Sequence, residues 1–183
     1  IFDGNQSTPI GIIHLWSLDT TMEGGNINLT RLESDQKFLC GSVLNLYKVL
    51  DSQHILKLAR LWLVTCGAQS TRKRHLPNVT QGPLWGLSRT VMLEHPGFLQ
   101  GIIDLDLMVT GDEAQEIFKE IQSSDGENQV RYVDGKRYIA RLKRAKEYSD
   151  EPVSVYPDET YLLTGGLGAL GLHVAEWLVA KGA

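Results

Sequence analysis

The sequence predicts an α/β fold, a mostly parallel β-sheet flanked by helices. Three observations predict it. Short apolar runs rich in Ile, Leu and Val alternate with longer stretches whose apolar residues recur every three to four positions. An Asp-Gly pair, Asp134-Gly135, separates two strand-like runs late in this body. The 183 residues are 42% hydrophobic and 22% charged, enough to bury a sizeable core and too apolar for wholesale disorder. Alternation of strand and helix is the pattern that produces parallel sheets, because parallel neighbours need a crossover between them.

Taken in order, Pro9-Ile-Gly-Ile-Ile-His-Leu-Trp16 reads as a buried strand, and Asp19 to Thr30 as a polar loop around Gly24-Gly25. Leu39, Val43, Leu46 and Leu50 recur at spacings of 4, 3 and 4, which predicts a helix from near Glu33 to near Ser52. Arg60 to Thr65 is a second buried strand. Residues 67–80 form a polar, basic loop holding Arg72, Lys73 and Arg74. Leu84, Leu87 and Val91 mark a helix that ends before Pro96. Leu99 to Asp106 is a third strand, and Ala114, Ile117, Phe118 and Ile121 give a third amphipathic helix. The runs Asn128 to Val133 and Arg137 to Leu142 flank the Asp-Gly turn as a hairpin.

Residues 143–158 differ in composition, being charged and holding Pro152 and Pro157, and read as a linker across a domain boundary. The expected division is 1–146 for the first, N-terminally incomplete domain, 147–154 for the linker, and 155–183 for the start of a second. Within the last, Thr160 to Thr164 reads as a strand. Ala169 to Lys181 reads as a helix with Leu170, Val174, Trp177 and Leu178 on one face.

Between that strand and helix lies Thr164-Gly-Gly-Leu-Gly-Ala-Leu-Gly171, in which Gly166, Gly168 and Gly171 fit G-x-G-x-x-G. A strand before and a helix after is the context that gives the motif chemical meaning. One glycine permits the tight turn, another lets backbone approach a pyrophosphate, and the third lets helix and strand pack closely. The helix start adds unpaired N–H groups and a positive dipole end. The candidate cofactor-binding residues are therefore Thr164, Gly165, Gly166, Leu167, Gly168, Ala169, Leu170 and Gly171. The plain alternative is a glycine-rich turn with no ligand.

Formal net charge is −4, which implies no general attraction to nucleic acid or to an anionic membrane. No apolar run approaches the ~20 residues of a membrane span. Cys40 and Cys66 make neither a disulfide framework nor a metal-spaced cluster, and a cytoplasmic compartment is expected. His54, His75 and His173 are scattered, so no metal site is expected. Sequons at Asn5, Asn28 and Asn78 read as chance in such a chain. Tyr132 and Lys136 match the Tyr-x-x-x-Lys spacing of short-chain reductases, but they flank an Asp-Gly turn and precede the glycine motif, so the match reads as coincidence. His14 is expected as a satisfied core histidine, and His95 as a cation at a helix C-terminus. Cys40 is expected to pack in the core and Cys66 to be no nucleophile. Arg72 to His75 reads as a solvated loop, with docking of an acidic carrier domain as the functional alternative. All four tryptophans (Trp16, Trp62, Trp85 and Trp177) are expected in cores.

An ordered set of segments carries a family resemblance. It comprises Gly11 to Trp16, Leu61 to Thr65 with Gly67-Ala-Gln69, Pro83 to Arg89 with Leu93-Glu-His-Pro96, Gly101 to Asp106, Gly126 to Val130, Tyr138 to Leu142, and Thr160 to Gly171. In that order they resemble the ketoreductase region of a modular type I polyketide synthase, over nearly the whole chain from about Ile10. The resemblance implies a Rossmann-like architecture: a truncated short-chain-reductase-like structural subdomain plus the first βα unit of a second Rossmann fold. It implies that the second fold binds NADPH and reduces a β-ketoacyl group held through phosphopantetheine on an acyl carrier protein. It also implies neighbouring synthase domains and a homodimer through the parent synthase as partners.

Two departures qualify what carries over. Further strands and helices that the family places before Gly11 are absent, and its catalytic Ser, Tyr, Lys and Asn lie downstream of the glycine turn. No catalytic residue is therefore assigned. The chain is expected to supply scaffold and the pyrophosphate turn and to be inactive alone. A non-catalytic structural module that organises neighbouring synthase domains is the alternative from a different class.

Overall fold

The computed structural model describes residues 9–20, 28–70, 77–108, 111–144 and 153–183. The sequon at Asn5, the basic stretch 72–75 and most of the expected linker lie outside the described residues. The chain divides into two compact units, Ile1–Arg141 and Leu142–Ala183.

The first unit holds a five-stranded sheet: β1 (Ile10–His14), β2 (Ala59–Cys66), β3 (Leu99–Leu105), β4 (Gln129–Val133) and β5 (Lys136–Ile139), in that spatial order. The first three pairings are parallel and the last is antiparallel. Helix α1 (Leu29–Ser52) joins β1 to β2, α2 (Gly82–Glu94) joins β2 to β3, and α3 (Glu113–Gln122) lies between β3 and β4. The mostly parallel α/β prediction is thus met.

The central strands are mostly apolar because both their faces are buried. Leu61 and Leu63 enter one core cluster with Val43 of α1 and with Leu84 and Val91 of α2. Trp62 and Val64, on the other pleat face, join Ile103, Val130 and Tyr132 in a second cluster that includes Ile117 of α3. The expected α1 stripe packs as read: Leu39, Val43 and Leu50 are buried and Leu46 is partly buried against the core. At roughly 1.5–3 kcal/mol per fully buried aliphatic side chain, this face rather than helix propensity holds α1 in place.

Local chemistry sets the boundaries. Helix α1 starts at Leu29, earlier than Glu33, because Asn28 caps it: Asn28 Oδ1 accepts from Arg31 N at 2.8 Å. Asn78, another sequon residue, is buried with its side chain accepting from Thr80 N and Thr80 Oγ1. In the hairpin, Asp134 (φ 49°) and Gly135 (φ 67°) both adopt the left-handed conformation that a two-residue turn between twisted strands requires. Gly101 faces the Trp62 ring across the β2–β3 pair, and a Cβ there would come within 2.4 Å of it.

Some expectations are corrected. The apolar stripe read on α3 packs only in part, through Ile117. Glu116 and Glu120 are buried, whereas Phe118 and Ala114 are exposed. Glu120 turns inward because cationic and hydroxyl partners wait for it on the hairpin. Trp16 is not core: it sits in a short 3-10 helix, Trp16–Asp19, 54% exposed and edge-on to His14. Trp177 is also exposed.

In the second unit, α4 (Ala169–Lys181) forms over the expected residues and ends at Gly182 in the left-handed region, φ 107°. The strand expected over Thr160 to Thr164 does not form; these residues are irregular and lead into a turn. A strand needs ladder partners for its N–H and C=O groups, and among the described residues of this unit no second strand supplies them. Among the described residues no helix is long and apolar enough to cross a membrane.

Candidate functional site

The glycine motif folds as a tight turn opening into α4. Gly165 takes φ +69°, a conformation that disfavours a side chain. The turn closes on itself through Gly166 N donating to Leu163 O at 3.2 Å and Gly168 N donating to Gly165 O at 2.9 Å. Gly168 is the N-cap, and the first intrahelical bond runs from Leu172 N to Gly168 O at 3.0 Å. The amides of Ala169, Leu170 and Gly171 therefore precede the helix's first donor and have no acceptor within the helix. Packing explains the third glycine. A Cβ at Gly171 would lie 2.5 Å from Gly165 O and 2.6 Å from Gly166 Cα, so backbone would have to move to admit any side chain. Such a turn brings main-chain N–H groups and a positive helix end to one point, an arrangement suited to an anion.

Residues 24–142 match the family described as the Rossmann fold domain of the polyketide synthase extender module SpnB, and residues 159–183 match the KR domain. The chain belongs to the polyketide synthase ketoreductase family. A phenolphthiocerol/phthiocerol polyketide synthase of Mycobacterium tuberculosis is 33% identical over 136 residues, covering 74% of this chain and 9% of that protein. Pikromycin polyketide synthase component PikAIII of Streptomyces venezuelae is 35% identical over 127 residues, covering 68% of this chain and 8% of that protein. Among solved structures, a C2-type ketoreductase from a modular polyketide synthase superposes with a TM-score of 0.72 at 27% identity, covering 94% of this chain and 36% of that one. The chain thus spans less than a tenth of the length of these curated relatives. The glycine turn falls within the KR match, and the five-stranded sheet lies largely within the Rossmann match.

Several residues singled out in the sequence have structural occupations in this ketoreductase region. Tyr132 and Lys136 lie on opposite arms of the hairpin, not on one helix. The Tyr132 hydroxyl donates to Glu120 Oε2 at 2.9 Å, and burial, then the Glu120 bond, pushes its pKa up to about 12. Glu120 also accepts from Arg137 Nε and Nη2, each at 2.7 Å, in a two-point ion pair. Burial, aided by Asp104 and Asp106, pushes the Cys66 thiol up to about 11, and Cys66 Sγ lies 3.1 Å from Asp106 O. A thiol so held is a poor nucleophile at neutral pH. Cys40 is partly buried, and burial raises its thiol too.

His14 is buried but only half satisfied. Its Nε2 meets Ser42 Oγ at 2.9 Å while Nδ1 has no partner, and burial lowers its pKa below the usual histidine range. His95 caps α2, and its Nε2 lies 2.9 Å from the Tyr47 hydroxyl, with the two ring centres 4.8 Å apart. That pairing is invisible in the sequence and accompanies the expected helix-end position.

The sequence reading missed a polar ladder across three parallel strands. Register sets Thr65 beside Asp104 and Asp104 beside Arg131. Asp104 is wholly buried; it accepts from Thr65 Oγ1 at 2.7 Å, Ala68 N at 2.8 Å and Gln69 N at 3.0 Å, and pairs with Arg131 Nη1 at 3.2 Å. Trp85 Nε1 of α2 donates to Thr65 Oγ1 at 3.0 Å. Asp104 within the otherwise apolar run Ile102 to Leu105 was the available signal, since a charge in such a run must find partners.

Proposed function

We propose that this chain supplies the scaffold and the cofactor-phosphate turn of an NADPH-dependent polyketide ketoreductase. In this reading residues 1–146 are the structural, non-catalytic subdomain, 147–154 the linker, and 155–183 the opening of the catalytic subdomain. The observation that carries the reading is the contact at Gly171: a cradle so close that a Cβ would collide with backbone at 2.5 Å. That close packing of α4 on the turn is what the third glycine of a dinucleotide-binding motif provides, and it sets the free main-chain donors of the helix start where a diphosphate would sit. Residues Thr164 to Gly171 would hold it.

When bound, NADPH supplies a hydride for the β-keto carbon of an acyl group carried through phosphopantetheine on an acyl carrier protein. The chain's own residues orient the diphosphate; none of them matches the family's catalytic Ser, Tyr, Lys or Asn. The chain by itself therefore reduces nothing and binds NADPH weakly, because the residue that grips the adenosine ribose belongs to a following strand. Neighbouring synthase domains and a second copy of the parent, in the cytoplasm, complete the working assembly.

The test compares the 183-residue chain with the parent polypeptide, supplied with NADPH and a β-ketoacyl thioester and followed by NADPH absorbance. The chain alone is expected to be inert. The parent is expected to turn over and to lose NADPH affinity on Gly171→Val. Turnover by the chain alone, or an unaffected Gly171→Val parent, overturns the reading.

A further inference from the structure

We draw no further inference here: the strongest candidate, the apolar groove of about 500 Å³ between Trp16, which follows the edge strand β1, and Phe38, Leu46 and Val49 of α1, carries none because nothing in the structure shows what covers it.

Discussion

Replacing Asp104 by Asn is the sharpest perturbation of this fold. The side chain is wholly buried and makes four contacts: one hydroxyl, two amides and one guanidinium. Asn keeps the shape but removes the charge and turns one acceptor oxygen into a donor. Oδ1 can still accept from Thr65 Oγ1 and Ala68 N. The new NH₂ then faces Gln69 N–H and Arg131, donor against donor. Removing one partner of a buried ion pair costs about 3–5 kcal/mol, because the other charge stays buried and uncompensated. Set against a domain stability of roughly 5–15 kcal/mol, that is a large share. At about 3–4 °C per kcal/mol for a unit of this size, the midpoint should fall by roughly 10–20 °C. Thermal unfolding followed by tryptophan fluorescence measures that shift and urea unfolding the free energy, and Trp85, joined to the network through Thr65, reports locally. Thr65→Val is the internal comparison: it removes only the hydroxyl between Trp85 Nε1 and Asp104 and should cost about 1–3 kcal/mol. A loss below about 1 kcal/mol for Asp104→Asn would show that the ladder adds no net stability and would refute the reasoning.

Arg137→Met should destabilise by about 3–5 kcal/mol, since it leaves the buried Glu120 with Tyr132 as its remaining donor, while Tyr132→Phe should cost only about 1 kcal/mol; equal effects in urea titrations would contradict the assignment of the ion pair as the stronger contact. Burial, then the charges of Glu113 and Asp112, raises the Glu116 pKa. Its protonated form is thus favoured in the fold, so its contribution is fully present below about pH 4.5 and lost as pH rises through the folded value. Glu116→Gln should therefore stabilise at pH 7 by up to about 1 kcal/mol and show no gain at pH 4; a pH-independent effect would count against this. Cys66, with its thiol near 11, should alkylate at pH 8 about a hundredfold more slowly than an ordinary thiol, and its share of stability should decline as pH climbs from about 9 toward 11. Fast labelling of the folded chain, located by peptide mapping, would sink that expectation.

The sheet order and helix positions were legible because they follow from period. Leu39, Val43 and Leu50 are buried at the spacings that predict burial, and Asp134-Gly135 takes the backbone that its residue types favour. What escaped was decided by partners distant in sequence. Nothing within α3 says that Glu120 turns inward; Tyr132 and Arg137, 12 and 17 residues away, say it. Phe118 is exposed, while Ile117 supplies the apolar part of the inward face beside the two carboxylates. Asp104 and Arg131 became partners only when β3 and β4 paired in register. His95 found Tyr47 only when α1 and α2 packed together.

The second unit separates the two kinds of information within one motif. Its strand, Thr160 to Thr164, does not form, while the turn and α4 do. Strand formation is collective, needing a neighbour for each backbone group, whereas a helix satisfies its own. The glycine turn belongs with the helix. Its closing bonds run from Gly166 to Leu163 and from Gly168 to Gly165, and the contacts that exclude a Cβ at Gly171 come from Gly165 and Gly166. Every constraint that shapes the cradle lies within the short stretch from Leu163 to Gly171. The candidate phosphate site is therefore locally encoded and needs no completed sheet to take its shape. What a sheet would add is burial for Leu170, Val174 and Trp177, all of them exposed, and with it the rigidity that turns a shaped loop into a tight site.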